Sequence, residues 1–246
     1  MIRARSLLPI LAAASAAILS LSAPARAGEF SAMVADVKTG TILTADKIDG
    51  PRAPELVARL TTIAMGIQDI ADETLDPEEV LEIRSGRSVS ALVALQATAL
   101  GEEGYRAPMT ALAARIGYNA KLFEDRLRAI RTRAGLRATE TRVVRGSDGG
   151  PSFEGRSTVR DTVRLATSLM RAHGALVDEV FDPATGELAT THIWMAEGDG
   201  CLLVADGPRT GRMLAAALTG APDAPQCFET AAVLLAEQDL RILEAR

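Results

Sequence analysis

The stretch Gly50-Pro51-Arg52-Ala53-Pro54-Glu55-Leu56-Val57-Ala58-Arg59-Leu60-Thr61-Thr62 leads a proline-punctuated entry into a helical pattern over Glu55 to Ala71. Leu56 and Arg59 stand at i and i+3, so they share one face of that helix. Neither supplies reactive chemistry: leucine offers no attacking atom, and arginine keeps its proton at any relevant pH. Thr61 and Thr62 are hydroxyls, yet the residues three further on, Ala64 and Met65, are not bases. No lysine occurs anywhere from Ile48 to Ala120.

Outward from this stretch, residues 1–27 read as a secretory signal peptide. Arg3 and Arg5 make a basic start, Leu7 to Leu21 is an uncharged Ala/Leu/Ile-rich core, and Ala25-Arg26-Ala27 is a cleavage site of small residues. The apolar run falls short of the roughly 18 residues a membrane span needs. Secretion to the bacterial periplasm, with no membrane span after cleavage, is the expectation. The remaining chain, 28–246, carries 24 basic against 32 acidic residues, a net of about −8. That leaves no basic excess for phosphate backbones, which argues against nucleic acid as a partner. Aromatics are few, with Trp194, two Tyr and five Phe, so Ala, Leu and Val must do most of the packing.

Cys201 and Cys227 are the only cysteines. In an oxidising compartment they either bridge, stabilising by about 3 kcal/mol, or remain two separate buried thiols. With only His173 and His192 besides, metal-ligand spacing is lacking, and nothing calls for a cofactor.

Phe30 to Ala35 and Thr41 to Ala45 read as strands around Asp36-Val37-Lys38-Thr39-Gly40, a hairpin signal. Helical patterns follow over Glu55–Ala71, Val89–Leu100, Met109–Ile116, Ala120–Ala134 and Thr158–His173, the last with Ser157 as its cap. Strands return at Cys201 to Ala205 and Arg212 to Leu218 around a polar turn, and Phe228 to Leu243 closes as an amphipathic helix. Strands at both ends with helices between them predict an α+β fold: an antiparallel sheet flanked by helices, with a helical lobe, about 63–156, inserted into it.

The Arg52 to Thr62 stretch resembles the R-x-P-A-S-L-T-K-x-x-T entry of the serine D-alanyl-D-alanine carboxypeptidases, the low-molecular-mass penicillin-binding proteins. Arg52, Pro54 and Thr62 match, while Leu56 falls on the serine and Arg59 on the lysine. Val34 to Leu43 is similar to the family's opening V-x-D-x-x-T-G-x-x-L hairpin. Ser157 to Asp161 resembles T-T-A-R-D, and the late hairpin resembles one ending G-R-R-L-I-A-V-V-L-G-A. The likeness runs from Phe30 to Arg246 and implies the β-lactamase and penicillin-binding-protein transpeptidase architecture.

It also implies three places for chemistry. In S-x-x-K the serine attacks the terminal D-Ala carbonyl after losing its proton to or through the lysine; here Leu56 and Arg59 stand there. In S-x-N, Ser85 is kept and Arg87 replaces asparagine. In K-T-G, counting back from the Cys201 strand puts Thr191, His192 and Ile193 in position, give or take a residue. Lys38-Thr39-Gly40 and Arg209-Thr210-Gly211 are lookalikes read as turns. Arg128, Arg131, Arg133, Arg137, Arg142 and Arg145 form a basic stretch read as a solvated helix face and loop in preference to an anion site.

The expectation is a secreted pseudoenzyme with no catalytic residue. It would bind a peptidoglycan stem peptide or an envelope protein in a cleft edged by Leu56, Arg59, Arg87 and Ile193. The alternative is an active carboxypeptidase working through residues in another register.

Overall fold

The computed structural model describes residues 30–83, 87–101, 105–116, 120–145, 151–181 and 190–245. Residues 1–27, read from the sequence as a signal peptide, and Ser85 lie outside the described residues. A five-stranded antiparallel sheet is built from both ends of the chain: β1 (Ser31–Asp36), β2 (Ile42–Asp46), β7 (Thr191–Glu197), β8 (Gly200–Asp206) and β9 (Met213–Thr219), in the order β2-β1-β9-β8-β7. Between β2 and β7 run α1 (Glu55–Ala71), β3 (Val80–Ile83), β4 (Arg87–Ser90), α2 (Ala91–Leu100), α3 (Arg106–Arg115), α4 (Ala120–Ala134), β5 (Glu140–Arg145), β6 (Pro151–Arg156) and α5 (Val159–Phe181), and α6 (Ala224–Glu244) follows β9.

Alternation along the central strands explains the layers. Met33 and Ala35 of β1 and Ala215 and Ala217 of β9 join the core with α1 and α5, whereas Ala32, Val34, Leu214, Ala216 and Leu218 face α6 on the other side. Because both sheet faces are covered, these strands are apolar at consecutive positions, and their alanines let the helices approach closely. Cys201 on β8 and Cys227 on α6 are joined in a disulfide with Cα atoms 6.0 Å apart, so the bridge alternative holds and staples α6 to the sheet.

Several elements differ from the sequence reading. Val89 lies in β4, and α2 begins at Ala91 because Ser90 caps it, accepting from the Val93 amide at 3.3 Å. Arg142 and Arg145 lie on β5, a strand paired with β6, and not in a helix face or loop. Thr158, not Ser157, caps α5: its hydroxyl accepts from the Asp161 amide at 3.2 Å. Helix α5 continues past His173, where the backbone kinks (φ −143°, ψ 34°). Helix α6 starts four residues before Phe228, capped by the Asp223 side chain.

Asp36 fixes the first hairpin. Its buried carboxylate accepts from the Thr39 amide at 2.7 Å and hydroxyl at 2.9 Å, and pairs with Arg212 at 2.7 Å. Burial pushes its pKa up, but the Thr39 bonds and the Arg212 charge outweigh this and hold it below the ordinary carboxylate value. A depressed folded pKa contributes stability above the unfolded value and loses it as pH falls through the folded one. Asp36→Asn should therefore cost about 1–2 kcal/mol at pH 7, and the gap to the native protein should close as urea titrations move below about pH 4. Reducing the disulfide, or replacing both cysteines by alanine, should cost about 3 kcal/mol in the same measurement.

Candidate functional site

The entry into α1 is pinned before the helix begins. Arg52 and Ser157 exchange backbone hydrogen bonds (2.8 and 2.9 Å), and the Arg52 guanidinium donates to Ser31 Oγ at 2.7 Å. One short segment thus ties the start of α1 to the starts of α5 and β1. Leu56, 7% exposed, then lines a cavity of about 320 Å³ together with Arg52, Glu55, Arg106, Glu197 and Asp199.

One turn further along, Arg59 is 3% exposed. Its Nη1 donates to Glu197 Oε2 at 2.5 Å, and its guanidinium carbon lies 5.4 Å from the centre of the Tyr105 ring, within cation–π range. The Tyr105 hydroxyl donates to the same carboxylate oxygen at 3.4 Å. Gly101, in the left-handed conformation at the end of α2 (φ +66°), lies against the guanidinium: a Cβ there would stand 2.6 Å from Arg59 Nη1. Helix α1, the end of α2, the start of α3 and the end of β7 therefore converge on one cation.

Thr219 Oγ1, at the end of β9 beside the cavity, has no hydrogen-bond partner among the described residues, whereas other neighbouring hydroxyls are engaged. Thr61 and Thr62 donate to the carbonyls of Val57 and Ala58, one turn back in α1 (2.7 and 3.1 Å). Ser157 Oγ meets Thr139 Oγ1 at 2.9 Å, and Thr139 donates on to Asp161 at 2.8 Å. Asp161 also receives the Ala138 amide, at 2.8 Å, so this chain holds the start of α5 to the loop before β5.

The third predicted position lies away from Leu56 and Arg59. His192 is five residues before Glu197, about 16 Å along an extended strand. Its Nδ1 lies 2.7 Å from Asp178 of α5 and its Nε2 3.4 Å from Asp206 of β8. Thr191 pairs with Ala205 across the β7–β8 ladder. Ile193 is 0% exposed and belongs to the core, which corrects the expectation that it edges the cleft. Arg87 is exposed on β4. The structure thus brings together Leu56 and Arg59, with Glu197, Tyr105 and Arg106 as neighbours that the sequence reading missed. The hairpin signal that could have located Glu197 is the turn Gly198-Asp199, with Gly198 at φ +59°, which sets Glu197 opposite Gly200. Lys38-Thr39-Gly40 and Arg209-Thr210-Gly211 both form turns, the latter held by Asp239 accepting from the Arg209 amide at 2.8 Å.

No protein-family model matches this sequence, and no curated protein matches it. Solved structures do. Penicillin-binding protein D2 from Listeria monocytogenes, in a cefotaxime-bound form, superposes with a TM-score of 0.64 at 16% identity over 85% of this chain and 96% of that one. The D-alanyl-D-alanine carboxypeptidase DacD from Francisella tularensis gives 0.66 at 16% identity over 83% and 68%. Penicillin-binding protein 6B from Escherichia coli gives 0.63 at 18% identity over 86% and 75%. The chain has the fold of the penicillin-binding proteins and D-alanyl-D-alanine carboxypeptidases, as the sequence resemblance implied.

A buried ion pair is most costly when one member is lost. Glu197→Met strands a buried guanidinium and should cost about 3 kcal/mol. Arg59→Met leaves a carboxylate beside a surface turn and should cost less, about 1 kcal/mol. The double variant should recover at least about 1 kcal/mol of the summed loss, read as coupling in a urea-denaturation cycle.

Proposed function

We propose that this protein is a secreted, non-catalytic module of the cell envelope that binds the stem peptide of peptidoglycan at the cleft beside the start of α1. The observation that carries the proposal is the ion pair between Arg59 and Glu197. Acyl transfer by a serine needs an oxygen nucleophile and a group that takes its proton. Here the helix start offers the Leu56 side chain, and the following turn offers a guanidinium that cannot release a proton and is already bound to a carboxylate.

The lysines and histidines of the chain lie on elements other than α1. The three lysines of the chain are Lys38 and Lys47, in and after the first hairpin, and Lys121 on α4. Ser157, which lines the cavity, has Thr139 as its partner where a base would be required. Both histidines lie elsewhere, His192 between two aspartates and His173 against Gln68 at 3.2 Å.

A binding role uses what remains. The cleft offers Arg106 as a cation, Glu55 and Asp199 as anions, and Leu56 and Val57 as apolar floor. A stem peptide carries a terminal carboxylate, an amine and alanine methyls, which match those three kinds of surface. Residence in the envelope is supported by the leader-like first 27 residues and by the Cys201–Cys227 bridge, which suits an oxidising compartment. Among the described residues no helix is long and apolar enough to cross a membrane.

The test is a titration of the purified protein with a pentapeptide ending in D-Ala-D-Ala, followed by NMR, with free D-Ala measured in the same tube. Saturable shifts without D-Ala release are expected, with affinity falling about tenfold in Arg106→Glu through reversal of one charge. Catalytic release of D-Ala would instead establish an active carboxypeptidase. Absence of shifts, together with failure to co-sediment with purified sacculi, would remove peptidoglycan as the ligand.

A further inference from the structure

A second cleft, of about 440 Å³, opens between the first hairpin and α5. Helix α5 lines it with Val163, Arg164, Thr167, Ser168, Arg171 and Ala172, a spacing that repeats every four residues and so presents one face over three turns. Met33 and Ala35 of β1 and Ile42 of β2 make an apolar wall, and Arg133 approaches from the end of α4. Three guanidinium groups thus surround an apolar floor, and no acidic side chain is among the lining residues.

The partners of these arginines leave their charge largely unneutralised. Arg133 donates to the Gln68 side-chain oxygen at 2.8 Å and Arg171 to the Val37 carbonyl at 2.5 Å. Arg164 donates to the Gly135 carbonyl at 3.0 Å, and its nearest carboxylate among the described residues, Asp161, is 3.9 Å away. Arg133 and Arg171 are therefore positioned by neutral oxygens, and Arg164 by the Gly135 carbonyl with the Asp161 carboxylate at a longer distance. Gly40, at φ +75°, keeps the hairpin turn free of a side chain beside Arg171, whose Nη2 would stand 3.0 Å from a Cβ there.

An independent observation comes from Thr167. It is 7% exposed, and its hydroxyl has no hydrogen-bond partner among the described residues. Elsewhere in these helices, Thr61, Thr62, Thr98, Thr110, Thr132, Thr162 and Thr230 all bond back to the carbonyl four residues earlier. Thr167 does not, although it sits mid-helix where the same carbonyl is in reach. A buried hydroxyl left open costs free energy unless something else engages it.

From the guanidinium groups, the open hydroxyl and the apolar wall we infer that this cleft binds a small amphipathic oxyanion, a phosphate monoester whose alkyl group lies on Met33, Ala35 and Ile42. Guanidinium forks suit phosphate oxygens, and Thr167, whose hydroxyl has no partner among the described residues, lines the same cleft. The ligand is either a free alkyl phosphate or the head of an anionic lipid. This site is separate from the cleft at α1 and does not depend on the stem-peptide reading.

Calorimetric titration with hexyl phosphate, inorganic phosphate and hexanol tests the inference. Hexyl phosphate should bind, inorganic phosphate more weakly, and hexanol not at all. Affinity for hexyl phosphate should fall about tenfold in Arg171→Gln and in the exposed Arg133→Gln, each removing one charge-assisted contact. A smaller loss is expected in Thr167→Val, which keeps the side-chain shape. Thermal melts confirm that each variant folds, and Arg133→Gln keeps the test valid if Arg171→Gln does not. Co-sedimentation with phosphatidic acid vesicles, lost in the same variants, would identify the lipid head as the source; binding of soluble hexyl phosphate alone would identify a free ligand. No binding of hexyl phosphate or vesicles, or equal affinity in native protein and both arginine variants, would overturn the inference.

Discussion

Every residue of α1 from Leu56 to Ile67 is buried, and one of those twelve is an arginine. A helix buried on all sides must be covered by other elements along its whole length. The sheet cannot do this alone, so α5 packs along it while α2, α3 and α4 close over it, and the lobe and sheet become one core. Arg59 adds a stricter condition, because a cation in that position needs a carboxylate partner. Glu197 meets it from β7, 138 residues away in sequence. The hairpin that carries Glu197 and the turn that carries Gly101 both lie against that cation.

The same condition bears on the proposed function. The start of α1 holds a leucine and a guanidinium already paired with a carboxylate. An ion pair of this kind need not add net stability over a well-packed apolar pair. On the function proposed above, it occupies space and charge beside a cleft that holds a ligand.

Much of this was legible in the chain. The hairpins at both ends carry their turn residues, and the apolar patterns of Glu55–Ala71 and Ala120–Ala134 coincide with α1 and α4 to the residue. Leu56 and Arg59 were legible as neighbours on one face of α1. The short strands β3 to β6 were not, because strands of four to six residues depend on the partner they pair with and barely on their own pattern. Helix α5 was cut short at His173, where the kink interrupts the dihedrals but not the apolar stripe that continues through Val177, Val180 and Phe181. The Glu197 partner of Arg59 was out of reach, since a contact between α1 and β7 is created only when the sheet closes. Ile193 was misplaced for a related reason: counting along a strand sets the residue order, but which end meets α1 is decided by packing.

The central claim is that the start of α1 no longer supports acyl transfer. It is tested most directly by the intact mass of the native protein, and of a Leu56→Ser/Arg59→Lys variant, after incubation with a fluorescent penicillin. No adduct on the native protein is the predicted result, and labelling of the variant alone would place the missing chemistry at those two positions. A stable covalent adduct on the native protein would contradict the claim.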